Sequence, residues 1–179
     1  MLREIEADRS SRVDDTDRAR RLFAGGVERL PAAPIAVAGA MEVAAQLERL
    51  LVQSRRQRSV FALLWVSVEC IDGGARTMTA DVERQVRDEV AQRAFARIRS
   101  TDRLLRESER DTCVLLPGAS EAAAVRVAAR FVRALNGAYR IGDELVRVDV
   151  RVGHAACPPG GAPVSELLAQ ATEREAAPA

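Results

Sequence analysis

The sequence contains no lysine, and every one of its 27 basic residues is an arginine. Mechanisms that depend on a lysine side chain are therefore excluded. Arginine stays charged at physiological pH, and its planar guanidinium donates hydrogen bonds in a fork that matches guanine edges, phosphates and carboxylates. The composition thus permits arginine-based binding chemistry where lysine catalysis is impossible.

Cysteine and histidine are also scarce. The three cysteines, Cys70, Cys113 and Cys157, are an odd number without the spacing of metal ligands, and each falls in or beside an apolar stretch. This pattern favours buried, reduced thiols and a cytoplasmic location over a metal site. The one histidine, His154, lies in a predicted strand, where packing is a more common role than catalysis. Because the sequence also has no metal-spaced cluster, it predicts no bound metal.

Long apolar runs and a strong net charge are absent as well. No apolar run approaches the roughly 18 residues that span a bilayer, and the N-terminal residues are too charged for a signal peptide. Acidic and basic residues nearly balance, at 26 and 27. This balance predicts no nucleic-acid partner, and the lack of long apolar runs predicts no membrane insertion.

The chain is predicted to consist of an extension and one folded domain. Residues 1–36 mix charge clusters with paired glycines and prolines, which predicts a helical or partly ordered arm followed by a linker. Residues 37–175 carry the apolar patterns of a single domain, and residues 176–179 are predicted to form a disordered tail.

Apolar periodicity predicts the order of helices and strands in this domain. The continuous apolar run at 60–68 indicates a strand in the middle of a sheet, covered on both faces. Helices are expected at 40–56, at 79–100, at 120–136 with Gly137 as the stop, and around Leu167. Further strands are expected at 103–107, 111–116, 139–141 and 144–156. The order predicts an α/β fold of the α+β sandwich type, with helices flanking a central, mostly antiparallel sheet.

Several of these landmarks occur together in one known family. They are the apolar strand 61–68, the helix that leads to Arg99, the motif Arg99-Ser-Thr-Asp102, and the hairpin that enters Val-Leu-Leu-Pro-Gly118. From about Gln46 to Gln170 the chain resembles a GGDEF domain, the palm-like nucleotidyl-cyclase fold of diguanylate cyclases. The resemblance implies a bacterial signalling domain related to cyclic di-GMP, which those enzymes make from two GTP molecules.

The family's signature hairpin is degenerate in this chain. Without a gap in the register, the motif Gly-Gly-Asp/Glu-Glu-Phe falls on Ser108, Glu109, Arg110, Asp111 and Thr112. The family needs its two glycines so that the backbone can approach the guanosine and the phosphates. The side chains of Ser108 and Glu109 should obstruct that approach.

The positions of the family's two-metal chemistry are also replaced. The family places an aspartate at the end of the first strand and an acidic residue at the third hairpin position to hold Mg²⁺. In this chain those positions are Ser67 and Arg110. A guanidinium repels a metal cation, so no magnesium is expected. A rearranged metal site built from Glu69, Asp72 and Asp111 is the remaining alternative.

The guanine-reading positions for the substrate are replaced in the same way. The expected asparagine and aspartate fall on Ala75 and Arg84, and the family's downstream lysine cannot exist in a lysine-free chain. The resemblance therefore implies a domain that is not an enzyme and that carries no cofactor.

The family's inhibitory site, by contrast, is matched. Arg99 and Asp102 fall on its Arg-x-x-Asp motif, where the product binds away from the catalytic cleft. Guanine offers O6 and N7 acceptors to an arginine fork and N1 and N2 donors to a carboxylate. The resemblance adds Arg130, which completes such sites across a dimer, and Arg106 is expected to add a phosphate contact. The same Arg-x-x-Asp pattern also occurs at Arg12 to Asp15 and at Arg140 to Asp143, so the information lies in the position of the motif.

Two hypotheses follow. The first is a catalytically inactive receptor that binds cyclic di-GMP at Arg99 and Asp102 and regulates a protein partner, with a possible homodimer around the ligand. The alternative is a ligand-independent interaction or dimerisation module, since fold alone does not determine function. An active cyclase or a GTP-binding effector is disfavoured by the combined replacements at Ser67, Ala75, Arg84 and Arg110.

Overall fold

A single five-stranded antiparallel sheet forms the centre of the protein, in a computed structural model that describes residues 36–71 and 78–173. The strands are β1 (Phe61–Ile71), β2 (Arg103–Arg106), β3 (Asp111–Pro117), β4 (Gly137–Ile141) and β5 (Glu144–Cys157), in the order β2-β3-β1-β5-β4. The helices are α1 (Ala40–Gln57), α2 (Ala80–Phe95), α3 (Glu121–Leu135) and α4 (Val164–Glu173). The predicted α+β fold is confirmed. The structures predicted for 1–35 and 176–179 lie outside the described residues.

The central strand β1 is buried on both faces, as its continuous apolar run predicts. Side chains on one face, including Leu64 and Val66, join a core with α2 and α3. Side chains on the other face, including Phe61 and Leu63, join a second core with α1 and α4. The alternation of strand side chains between two apolar layers therefore fixes the register of β1 in the middle of the sheet.

Helix α2 ends earlier than the sequence predicts. It begins after Thr79, whose hydroxyl accepts a hydrogen bond from the Val82 N–H, but it ends at Phe95 rather than Ser100. The residues that follow form tight turns that lead into β2 at Arg103. One of these turns contains the Arg99–Asp102 motif, so the motif lies in a surface turn beyond the helix.

Helix α3 also ends differently from the prediction. The expected stop, Gly137, is instead the first residue of β4, with a φ of 133° that favours glycine. Asn136 ends the helix in an extended conformation, and its Oδ1 accepts a 2.6 Å hydrogen bond from the Val150 N–H. The side-chain bond to β5 turns the chain directly from helix into strand.

The segment that precedes α1 is attached to the edge of the sheet. Val37 forms an isolated parallel bridge with Arg106, whose carbonyl accepts hydrogen bonds from the N–H groups of Ala38 at 2.7 Å and Gly39 at 3.3 Å. The entry to the domain therefore covers part of edge strand β2. None of the helices in residues 36–71 and 78–173 is both long and apolar enough to cross a membrane.

Candidate functional site

The Arg99–Asp102 turn is closed by its own side chain and backbone. Asp102 Oδ2 accepts a 2.9 Å hydrogen bond from the Arg99 N–H, and the Asp102 N–H donates to the Arg99 carbonyl at 3.1 Å. The Arg99 side chain is exposed, and Asp102 is half-buried. The turn therefore holds one carboxylate close to an arginine that is accessible to solvent.

Helix α3 contacts the segment that leads into this turn. Arg130 donates a 3.0 Å hydrogen bond from Nη2 to the carbonyl of Arg97, two residues before Arg99. Arg130 is exposed, so its guanidinium also faces solvent. The structure thus brings the predicted residue Arg130 next to the backbone that positions Arg99.

Arg106 occupies a different environment from the other predicted site residues. Its side chain is only 5% exposed, and its guanidinium pairs with Asp88 Oδ1 at 2.5 Å and with Glu109 Oε2 at 3.2 Å. These ion pairs join β2 to α2 and to the hairpin tip. The burial and the paired carboxylates disfavour the predicted phosphate contact and indicate a structural role.

The degenerate hairpin between β2 and β3 is organised by the hydroxyl of Ser108. This oxygen accepts hydrogen bonds from the N–H groups of Arg110 at 3.2 Å and Asp111 at 3.0 Å. The same hydroxyl donates a 3.1 Å hydrogen bond to Asp111 Oδ2. Glu109 and Arg110 form the exposed tip, while Thr112 is buried at the start of β3. A side chain therefore closes the turn where the family has glycine.

Strand β1 contacts the hairpin through a second hydroxyl, that of Ser67. Ser67 pairs with Asp111 in the β1–β3 register, and its Oγ donates a 2.7 Å hydrogen bond to Asp111 Oδ1. Both carboxylate oxygens of Asp111 thus accept hydrogen bonds from serine hydroxyls. The carboxylate of Asp111 is therefore held between these two hydroxyls.

A depression of about 300 Å³ lies around this corner. We call it the Ser67 depression; it is lined by Ser67, Val68, Glu69, Cys70, Glu83, Arg87, Arg110, Asp111 and Arg151. Its charges largely cancel, because Arg87 pairs with Glu83 at 2.8 Å and Arg151 approaches Glu69 at 3.5 Å. Burial raises the pKa of the Cys70 thiol, although the nearby Arg87 opposes this effect. The depression therefore combines arginines and carboxylates with a predominantly protonated thiol.

The other positions of the predicted catalytic register lie on α2 or outside the described residues. Arg84 lies on the exposed surface of α2 and pairs with Asp81. Ala75 and Asp72 lie outside the described residues, so the rearranged site that includes Asp72 stays a prediction. Among residues 36–71 and 78–173, no group of three or more His, Cys, Asp or Glu side chains could hold a metal ion.

Two residues of the Ser67 depression were not identified from the sequence. Arg87 follows Glu83 by one helical turn, and Arg151 lies on β5, two strands from the hairpin. The Glu83–Arg87 spacing predicts an ion pair on a helix surface but does not indicate what the helix faces. The position of Arg151 depends on the antiparallel register that pairs it with Ser67.

No protein-family model matches the chain, and no curated protein matches it by sequence. Solved structures do resemble it. The GGDEF domain of YfiN (TpbB) from Pseudomonas aeruginosa is 21% identical, with a TM-score of 0.62 over 78% of this chain and 83% of that chain. The diguanylate cyclase SiaD of the same organism, in complex with its activator SiaC, is 21% identical, with a TM-score of 0.68 over 97% of this chain and 67% of that chain.

A third similar structure contains a ligand. The GGDEF domain of DgcB from Caulobacter crescentus, in complex with cyclic di-GMP, is 12% identical to this chain, with a TM-score of 0.56 over 76% of this chain and 80% of that chain. At these identities the likeness establishes the fold alone. The protein has the fold of GGDEF domains, as the resemblance in sequence implies.

Proposed function

We propose that this domain is a catalytically inactive receptor that binds cyclic di-GMP at the Arg99–Asp102 turn and regulates a protein partner. The observation that carries the proposal is the closed turn, in which Asp102 accepts from the Arg99 N–H while the Arg99 side chain remains exposed. A preformed turn of this kind costs little ordering free energy when a ligand binds.

The two side chains match the edges of guanine. The Arg99 fork can donate to O6 and N7, and the carboxylate of Asp102 can accept from N1 and N2 through the oxygen that is not bonded to the Arg99 N–H. The guanidinium can also stack on a purine ring. Cyclic di-GMP carries guanine bases, and a structure with the same fold, the GGDEF domain of DgcB, is complexed with that nucleotide.

The residues that line the Ser67 depression support the proposed absence of cyclase activity. In the register of the resemblance, the two metal positions hold a serine hydroxyl and an arginine, and Asp111 is already engaged by Ser67 and Ser108. Two-metal catalysis of phosphoryl transfer needs oxygen ligands of sufficient charge around both ions. The donor set at this corner does not fit that requirement, so we propose that no Mg²⁺ binds there.

The proposal includes a homodimer around the ligand and a protein partner. Cyclic di-GMP offers two guanines, and one turn reads one of them, which leaves the other for a second copy of the domain. The exposed Arg130 next to the Arg97 carbonyl is placed to contact that ligand from α3. The partner complex of SiaD with its activator SiaC is a precedent for regulation through protein contacts on this fold.

Titration calorimetry with cyclic di-GMP tests the receptor. We expect saturable binding by the wild type and loss of binding in Arg99→Ala. The matched control is Arg140→Ala, which alters another Arg-x-x-Asp pattern from an exposed position on β4. Equal binding by wild type and Arg99→Ala, or no saturable heat with the wild type, would refute the receptor. Formation of cyclic di-GMP from GTP and Mg²⁺ would refute the absence of catalysis.

The second candidate function is a ligand-independent interaction module. Exposed apolar side chains on α1 favour it, because Met41 is 86% exposed and Val52 is 48% exposed. This candidate predicts that binding of a protein partner is unchanged by cyclic di-GMP and by the double variant Arg99→Ala with Asp102→Ala. Once a partner is known, pull-downs with and without the nucleotide would measure this.

A further inference from the structure

A polar groove of about 580 Å³ lies between α1 and the Arg99–Asp102 turn. We call it the α1 groove. Ser100 and Thr101, the two residues between Arg99 and Asp102, form one wall, and edge strand β2 contributes Arg103. Helix α1 contributes Gln46, Arg49 and Gln53 to the opposite wall. The groove therefore begins at the turn that is proposed to read guanine.

The chemistry of the α1 groove favours an anion. Two arginines and two glutamines line it together with the Ser100 and Thr101 hydroxyls, and no carboxylate is among the described residues of the lining. Arg103 donates from Nη1 to Gln46 Oε1 at 3.3 Å, which ties one guanidinium to the wall of α1. Guanidinium, amide and hydroxyl groups together donate many hydrogen bonds to a phosphate.

The Ser67 depression has a different charge balance. Its lining holds three carboxylates for three arginines, and two of the arginines, Arg87 and Arg151, each approach a glutamate. The attraction for an anion is weakened there, because the opposite charges neutralise each other at close range. Compared with the Ser67 depression, the α1 groove is the better phosphate site.

We propose that the α1 groove binds a phosphate of the ligand whose guanine is read by Arg99 and Asp102. The inference rests on the proposed function, because the groove and the turn share Ser100 and Thr101. It assigns Arg49 and Arg103 to phosphate binding, and both are exposed side chains for which the sequence pattern predicts no role. The ligand class is a phosphate-bearing guanine nucleotide, of which cyclic di-GMP is the example tested.

The first test measures the affinity for cyclic di-GMP of the double variant Arg49→Gln with Arg103→Gln. Glutamine keeps a polar side chain of similar reach but removes the charge, and both positions are exposed, so the fold should persist. We expect the Kd to rise about tenfold or more, and its dependence on salt to become flatter, because fewer charges are screened. The control is Arg56→Gln, on the same helix but outside the groove lining, which should leave the Kd unchanged.

A second test uses inorganic pyrophosphate and needs no base recognition. In nuclear magnetic resonance titrations, pyrophosphate should shift the amide signals of Ser100 and Thr101 in the wild type and equally in Arg99→Ala. The shifts should be lost in Arg49→Gln with Arg103→Gln.

The outcomes separate the inference from the proposed function. If the double variant binds cyclic di-GMP like the wild type while Arg99→Ala does not bind, the α1 groove is not a phosphate site and the receptor function stands. If cyclic di-GMP does not bind but pyrophosphate shifts Ser100 and Thr101, the receptor function fails and the groove is a site for another phosphate. If neither binds, both proposals are wrong.

Discussion

The hydroxyl of Ser67 donates a 2.7 Å hydrogen bond to Oδ1 of Asp111, and this bond joins the central strand to the hairpin. Ser67 thus contacts the carboxylate at a position where the resemblance to GGDEF domains implies an aspartate. A serine in place of that aspartate replaces repulsion between two negative charges with a hydrogen bond.

We predict that Ser67→Asp lowers the stability of the domain by on the order of 2 kcal/mol near pH 7, because two half-buried carboxylates would then face each other. Because the repulsion needs two negative charges, the penalty should be smaller at acidic pH than at pH 7. Urea unfolding at several pH values measures this. Ser67→Ala, the control, should cost about 1 kcal/mol with little dependence on pH. A Ser67→Asp variant as stable as the wild type at neutral pH would contradict the prediction.

Arg106 provides a second test of structural against ligand-binding roles. Its buried guanidinium pairs with Asp88, whose side chain is 22% exposed, and with Glu109 at the hairpin tip. We expect Arg106→Gln to cost about 3 kcal/mol, because Asp88 loses its buried partner. The matched control is Arg84→Gln, whose exposed pair with Asp81 should contribute less than about 0.5 kcal/mol.

Thermal unfolding compares these two variants. In the folded Arg106→Gln protein, cyclic di-GMP affinity should equal that of the wild type. A stable Arg106→Gln variant with weakened ligand binding would instead restore the phosphate contact predicted from the sequence.

The sequence predicts the sheet better than it predicts these side chains. The apolar run of β1 predicts its central position, since both of its faces are apolar, and the polar tip at Ser108–Arg110 predicts the hairpin. Strand alternation places Arg106 on the same face as Leu104, but its partner Asp88 comes from α2 and depends on how that helix crosses the sheet. Propensity alone does not set such contacts, because tertiary packing determines them.

The sequence likewise predicts one part of the candidate site and not the other. Arg99 and Asp102 are recognisable because their chemistry is local to one turn. The α1 groove combines α1, a turn and two strands, and no local pattern indicates that Arg49 and Arg103 share a cavity. The early end of α2 at Phe95 could not be read from periodicity either, because Ile98 continues the apolar spacing beyond the helix.

Arg130 allows a prediction about ligand affinity at the Arg99–Asp102 turn. Its hydrogen bond to the Arg97 carbonyl holds α3 against the segment that precedes Arg99. In the proposed function Arg130 also contacts the ligand, and one hydrogen bond contributes about 1 kcal/mol, so loss of that contact in Arg130→Ala should weaken cyclic di-GMP binding by about fivefold or more. Arg126→Ala, which removes an exposed arginine one helical turn earlier, is the control and should bind like the wild type. Calorimetry would contradict the prediction if both variants behaved alike.

Because of the buried thiol of Cys113, the stability of the domain should decrease at alkaline pH. Burial raises its pKa from 9.0 to about 12, so between these values the unfolded state loses a proton that the folded state retains. The free energy of unfolding should therefore fall by about 1.4 kcal/mol per pH unit above pH 9. Burial also raises the pKa of Tyr139, which adds to the fall at higher pH. In urea unfolding of Cys113→Ala, the free energy of unfolding should fall less steeply with pH above pH 9 than in the wild type. An equally steep fall in both proteins would contradict the role of Cys113.

Asp102 offers the sharpest separation of a ligand-binding role from a purely structural one. Its Oδ2 accepts from the Arg99 N–H, so removal of the side chain in Asp102→Ala should loosen the turn and lower stability by about 1 kcal/mol, whatever the function. Asp102→Asn keeps a carbonyl oxygen for that bond but replaces the other oxygen with an amide that donates. Guanine N1 and N2 also donate, so the receptor hypothesis predicts that Asp102→Asn folds like the wild type yet binds cyclic di-GMP at least about tenfold more weakly.

The competing expectation is equally definite. If Asp102 only closes the turn, Asp102→Asn should match the wild type in both melting temperature and calorimetric affinity, since the hydrogen bond to Arg99 persists. The comparison of Asn with Ala at this one position therefore separates a carboxylate that reads a base from one that shapes the backbone, because the two roles use different oxygens of the same side chain.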